Sequence, residues 1–380
     1  MIVVIGFMTI RVPGGVPGNL ARHFSPSIID STSHDPVMET VKDFFLPMMY
    51  WIRVLCFVVA TSLGALPALA DPEAWKAEGW NLTDFGKTAI PWTEIKSGGP
   101  PKDGIPSIDQ PLFQPVAETK DLAAKDPVIS VEIAGDARAY PLRVMIWHEI
   151  VNDTVGGLPV TVTYCPLCNA AITFDRRVNN RVLDFGTTGK LRKSDLVMYD
   201  RQTESWWQQF TGEAIVGEMT GTALRLLPAR LESFSDFKSR HPGGKVLIPN
   251  NPTARDYGSN PYIGYDSSSK PFLYQGDLPD GIEPMERVVV ARLEQQTPVI
   301  VSLALLHKSR TLRDGALEFS WKPGQSSAVD EPNIAEGRDV GTVEVYRISP
   351  STGRELVPYD VTFAFVAHAF HPDIEIRQHE

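Results

Sequence analysis

Short apolar runs separated by polar, turn-forming clusters dominate this chain from Pro127 onward. PVISVEI, LPVTVTY, AAITFD, RVLDFG, DLVMYD, EAIVGEM, KVLIPN, RVVVARL, ALEFSW, GTVEVYRI and VTFAFVAHAF are rich in Val, Ile, Phe and Tyr, with Gly, Asn, Asp and Pro between them. Runs of this length with β-branched and aromatic residues read as strands. ESFSDFKSRHPGG predicts a helix with a glycine stop, and PLRVMIWHEIVND fits helix or strand equally. The predicted fold class is mainly β: an antiparallel sandwich or distorted barrel with a few short helices.

The pattern also contains an internal echo. DPVISVEI through AAITFD resembles MERVVVARL through ALEFSW in its order of strand, turn, strand, His-containing segment and further strand. The pairing sets His148 against His307 and CPLC against KPGQ, which suggests two related β modules. The expected organisation is a C-x-x-C-bearing module over 121–275 and a second module without cysteines over 276–380. Residues 71–120 form an irregular arm whose Trp75, Trp80 and Trp92 imply packing onto the domain.

The amino-terminal part changes the picture of where this fold works. MMYWIRVLCFVVATSLGALPALA, residues 48–70, has the layout of a signal peptide: Arg53, an apolar run too short for a membrane span, and small residues at 68 and 70. The expectation is cleavage near Ala70 and a periplasmic or secreted protein without a stable membrane anchor. Residues 1–47 then read as a mis-assigned or disordered leader. Cleavage removes Cys56 and leaves Cys165 and Cys168 as a pair. The net charge of −10, with no basic block, argues against nucleic acid as a partner.

ARAYPL, WHEIVNDTVGGLPV, TYCPLCNAAITFDR, DFGTTGKLRKSDLVMYDRQTESWWQQFTGEAIVG and YGSNPYIGYD together resemble DUF3179, a family of secreted proteins with no established activity. Asn169 stands where the resemblance leads one to expect glycine after the second cysteine. Asn also tolerates left-handed backbone there.

The C-x-x-C is the main chemical candidate. One reading is thiol–disulfide exchange: a ring this small gains little stability and is easily reduced. Against a thioredoxin-like site, NAAITFDRRV alternates as a strand instead of opening a helix. The competing reading is a copper or zinc site, with Cys165 and Cys168 as half of the ligand set. His148, one strand earlier, is the preferred third ligand, and Met198 is a thioether candidate. His368 and His371 are further donors from the second module. Glu149, Asp200 and Arg201 are expected behind the ligands, with Arg201 facing a thiolate or an anion.

Two other readings complete the set. In a non-catalytic module, Trp206, Trp207, Tyr262 and Tyr265 would grip a glycan or partner protein while the cysteines brace a turn. A thiol substrate or another extracytoplasmic protein is the alternative partner. Ser205 lacks the sequence context of a hydrolytic nucleophile. FGTTGK, residues 185–190, fails the phosphate-loop spacing and reads as a glycine-supported turn.

Overall fold

The computed structural model describes residues 72–294, 296–351 and 353–379. The leader and signal segment of residues 1–70 lie outside the described residues. No helix of the described residues is long and apolar enough to cross a membrane. Five α-helices, each of seven residues or fewer, accompany a predominantly antiparallel set of sheets among them.

The first half runs β1 (Pro127–Ile133), β2 (Asp136–Pro141), α1 (Leu142–His148), β3 (Ile150–Val155), β4 (Leu158–Cys165) and β5 (Ala170–Asp175). A sheet of β6 (Phe185–Arg192), β7 (Asp195–Asp200), β8 (Trp206–Gln208) and β9 (Ala214–Val216) follows. The half closes with β10 (Arg230–Ser233), α2 (Phe234–Arg240) and β11 (Lys245–Ile248). The second half runs β12 (Arg287–Ala291), β13 (Val299–Ser302), α3 (Leu303–Ser309), β14 (Thr311–Asp314), β15 (Leu317–Lys322) and β16 (Thr342–Ser349). It ends in β17 (Tyr359–Phe363), α4 (Ala364–Phe370) and β18 (Ile376–Arg377).

Topology repeats between the halves. The order β10-β1-β2-β11 is matched by β17-β12-β13-β18. In both sheets the last pair is parallel and the others antiparallel. Each set is followed by a three-strand meander, β3-β4-β5 or β14-β15-β16. The helix α1 ends on Glu149 at φ 58°, and α3 ends on Arg310 at φ 64°. His241 and His371 occupy the same cap position after α2 and α4. Helix register corrects one detail of the echo: Ile146, not His148, stands opposite His307.

The halves also interlock. Ala171 of β5 donates its backbone N–H to Asp360 of β17 at 3.0 Å, and Ser233 of β10 donates to Thr342 of β16 at 3.3 Å. Apolar side chains from both meanders and from α1, α3 and α4 share one buried core. Burial of this kind supplies most of the driving force, at roughly 25 cal/mol per Å² of apolar surface.

Two segments depart from their predicted form. VTFAFVAHAF is strand only to Phe363 and then becomes α4, whose Ala364, Phe365, Val366, Ala367 and Ala369 are all buried. A helix apolar on nearly every side has no 3.6-residue stripe to betray it. FGTTGK is the bulged start of β6, with its register shifting between Thr187 and Lys190. Gly189 sits at φ 70°, where a Cβ would meet the Pro100 carbonyl oxygen at 1.9 Å, so the residue lets the arm approach.

The arm packs as its tryptophans imply. Trp75 and Trp80 lie 5.2 and 5.1 Å from the ring of Trp206, and Trp80 meets Tyr199 edge-on at 5.0 Å. Further along, Ile108 exchanges backbone hydrogen bonds of 2.9 Å with Ile150 and Asn152.

Candidate metal centre

The two cysteines mark the ends of one tight turn. Cys165 is the last residue of β4 and pairs with Ala170, the first of β5. Between them the Cys168 N–H donates to the Cys165 carbonyl and the Asn169 N–H to that of Pro166, both at 3.2 Å. Asn169 takes φ 52°, the left-handed conformation expected for this position.

This turn is held from the second half. Thr362 donates its hydroxyl to the Cys168 carbonyl at 2.7 Å, and the Phe363 N–H donates to the same oxygen at 3.2 Å. The Asn169 side-chain amide donates to the Val361 carbonyl at 2.7 Å. Both thiols are therefore presented by backbone fixed on two sides. They are free thiols, each almost fully buried.

A third donor comes from the β6–β7 hairpin. Lys193 and Ser194 both have positive φ, the paired left-handed geometry of a two-residue hairpin turn, and Asp195 follows as the first residue of β7. The Cys165 and Cys168 sulfurs and an Asp195 carboxylate oxygen all lie within 4.8 Å of one another. Asp195 Oδ2 accepts from Gln208 Nε2 at 2.6 Å and from the Phe210 N–H at 2.9 Å. Its Oδ1 is buried and accepts from no N–H or O–H, while the Cys168 thiol also interacts with the carboxylate. Cys168 Sγ contacts the Ser194 carbonyl oxygen at 3.5 Å.

The electrostatics all run one way. Burial pushes both thiols above their usual range, Cys168 further than Cys165. Burial also raises Asp195 to about 6, against the opposing hydrogen bonds from Gln208 and Phe210. Glu149 is lifted to about 8 by burial and by the charge of Asp195. Four acidic groups share a site that penalises each of their anions. A bound cation reverses this balance, because it makes every one of those anions favourable.

A cleft of about 910 Å³ lies over the centre. Its lining includes Leu167 from within the C-x-x-C turn, Leu196 next to Asp195, and Glu149, with Tyr262, Tyr265 and Phe272 among its walls. Cys165, Cys168 and Asp195 themselves are not among its lining residues.

The other predicted residues fall elsewhere. His148 has both ring nitrogens engaged, Nδ1 with the Pro106 carbonyl at 2.7 Å and Nε2 with the Tyr257 hydroxyl at 2.8 Å. A carbonyl only accepts, so the proton sits on Nδ1 and Nε2 accepts from Tyr257. The residue grouped with the two sulfurs is Asp195, and His148 is not in that group. Met198 is fully buried core, in register with Thr187 and Trp207. His371 caps α4 next to Phe210, with Nε2 buried and unpartnered. His368 lines a separate cleft with Lys193.

Asp200 and Arg201 do not face the thiols. Asp200 accepts from the Thr203 N–H at 2.7 Å and from Trp207 Nε1 at 2.9 Å, closing the β7–β8 turn. Arg201 donates to Asp103 and Ser107 at 2.9 Å each, and so pins the arm. Trp206 and Trp207 are 0 % exposed, which removes them as a gripping surface. Asp195 itself escaped the sequence reading because an acid opening an apolar strand resembles an ordinary hairpin residue.

A family model described as a protein of unknown function (DUF3179) matches residues 102–374. The chain belongs to that family. No curated protein and no solved structure matches it. The match begins inside the arm and takes in the cysteine turn, Asp195, the cleft and nearly all of the second half. The family description assigns no chemistry, so the function rests on the geometry of Cys165, Cys168 and Asp195. These three are positioned to hold a metal ion.

Proposed function

We propose that this protein is an exported metal-binding protein in which Cys165, Cys168 and Asp195 hold one thiophilic divalent ion, zinc in the first instance. The observation that carries the reading is the convergence of two buried free thiols with the buried Asp195 carboxylate, an oxygen of which lies within 4.8 Å of both sulfurs and whose Oδ1 has no N–H or O–H partner. Leaving such an atom unpaired costs about 1–3 kcal/mol or more, and a metal bond removes that cost.

Donor chemistry favours zinc over copper(I). Two thiolates and a carboxylate carry three negative charges, which a divalent ion offsets better than a monovalent one. A hard carboxylate oxygen also suits zinc better than copper(I). Thiol exchange is disfavoured by the same environment, because the attacking species is a thiolate and burial works against both. The export signal read in residues 48–70 supports a working location outside the cytosol, where an unmetallated dithiol tends to oxidise.

The test is metal analysis of protein purified under reducing conditions, alongside Cys165→Ser/Cys168→Ser and Asp195→Asn. One equivalent of zinc in the wild type, lost in the double variant and weakened in Asp195→Asn, is the expected result. Reduced wild-type protein that neither contains zinc nor takes it up on titration overturns the reading.

A further inference from the structure

The cleft of about 910 Å³ has none of Cys165, Cys168 and Asp195 in its lining, so whatever it holds is recognised by other residues. One wall comes from β6, at Thr187, Gly189, Lys190 and Leu191. The other is the turn at Tyr262 and Tyr265 with the segment that follows it, at Phe272.

This second wall is fixed from behind. The Gly264 N–H donates to the Asp330 carbonyl at 2.6 Å and the Asn260 N–H to that of Pro332 at 2.8 Å, which ties the turn to the second half. Asp266 is buried against Arg287 at 3.0 Å and accepts from Ser327 at 2.6 Å. Phe272 donates its N–H to the Tyr265 hydroxyl at 3.2 Å, and its carbonyl accepts from Ser194. A wall already in place spares a ligand the cost of ordering it.

Glu149 and Tyr262 bring the cleft its unused polar atoms. Glu149 is 7 % exposed, and its carboxylate has no hydrogen bond or ion pair with any described residue. The charge that bears on it is that of Asp195, which has the same sign. Of the two lysines in the lining, Lys190 is engaged with Glu78 at 2.6 Å and Lys270 is exposed. The Tyr262 hydroxyl likewise has no partner among the described residues, and Glu149 is the charge that bears most on it. Around these two groups the surface is apolar. Ile263, Phe272 and Leu273, three of the seven large apolar side chains exposed among the described residues, all stand on this cleft.

We infer that the cleft binds an organic ammonium ion on an aromatic body, with the ammonium N–H groups donating to the Glu149 carboxylate and the Tyr262 hydroxyl oxygen, and the body lying against Leu191, Tyr265 and Phe272. Holding a carboxyl away from water without a partner is costly, and an ammonium supplies both the donors and the opposite charge. Aromatic walls take the apolar body and also favour a cation near their faces. This site needs no metal and goes beyond the zinc reading.

Calorimetric titration of phenethylamine, phenethyl alcohol and hydrocinnamate into the reduced protein at one neutral pH tests it. The titrations are run without added metal and again with zinc, which keeps a failure of the zinc reading separate from a failure of this one. The expected result is saturable binding of the amine, with the alcohol about tenfold or more weaker and the carboxylate weaker still. Glu149→Gln should bring the amine down to the affinity of the alcohol and leave the alcohol unchanged, which also shows the cleft intact. Tyr262→Phe should weaken the amine by a smaller factor. Phe272→Ala, which keeps the backbone bonds of that residue, should weaken amine and alcohol alike. Amine binding no tighter than alcohol binding in the wild type overturns the inference, whatever the variants do. Undiminished amine affinity in Glu149→Gln overturns the role of Glu149, and undiminished affinity in Phe272→Ala overturns this cleft as the site.

Discussion

Asn169 joins the two halves of the molecule: its side-chain amide donates to the Val361 carbonyl at 2.7 Å while its own backbone is left-handed at φ 52°. The residue serves the turn and the interface together. Replacement separates the two contributions. Asn169→Gly keeps the backbone conformation and loses the hydrogen bond, for an expected cost of about 1 kcal/mol. Asn169→Ala adds the strain of a left-handed non-glycine residue, for a total of about 2–3 kcal/mol. Urea unfolding of the two variants checks the order, and zinc affinity should fall in the same order.

The buried carboxyls give the metal-free protein an unusual pH response. Glu149 titrates at about 8 in the fold, well above its ordinary range, so the native state keeps a proton that the unfolded chain has released. Stability from this group is present at low pH and is lost as pH rises through 8. Below about pH 6.5 the response is offset by His148, His241 and His371, whose lowered values act in the opposite sense. Between pH 6.5 and 8.5 the expected loss is about 2 kcal/mol. Denaturation of metal-free wild type and Glu149→Gln at both pH values checks it, since the variant should lose far less. Zinc affinity should rise over the same range, because the thiols must shed protons to bind.

His148 should matter for stability and not for metal. His148→Ala removes its bonds to Pro106 and Tyr257, at a cost of about 2–3 kcal/mol, and leaves the zinc content at one equivalent. A variant that folds normally yet loses its metal would restore His148 to the ligand set.

How much of this was legible beforehand depends on the kind of signal. The strands of the two modules were visible as short runs of β-branched and aromatic residues between turn formers, and most are buried at successive positions, as strands covered on both faces are. The repeat was visible in outline for the same reason, and the cysteine turn was visible because its four residues are contiguous. Asp195 was not: it lies 27 positions beyond Cys168 in the chain, and only the β6–β7 hairpin brings it back. His148 misled because sequence proximity to the cysteines says nothing about its ring nitrogens, which the arm and Tyr257 already occupy. The second half of VTFAFVAHAF misled because burial on all sides erases helical period.

Trp206 anchors the amino-terminal arm through Trp75, Trp80 and Phe85. Trp206→Ala should cost about 3–5 kcal/mol, within the range for emptying a large aromatic site. Limited proteolysis should then cut the arm before residue 98 while the remaining body resists. Metal content should be retained, which separates arm docking from the ion centre.

The repeated topology has a practical bearing on every cysteine variant. At the corner where the first half has its pair of thiols, the second half begins with Lys322 and makes an excursion from 323 to 341 before Thr342 resumes the pairing. The same framework thus closes that corner without sulfur. A chain with both cysteines replaced by serine should therefore still assemble, and the chemistry it lacks can be charged to the missing ligands and not to a collapsed scaffold.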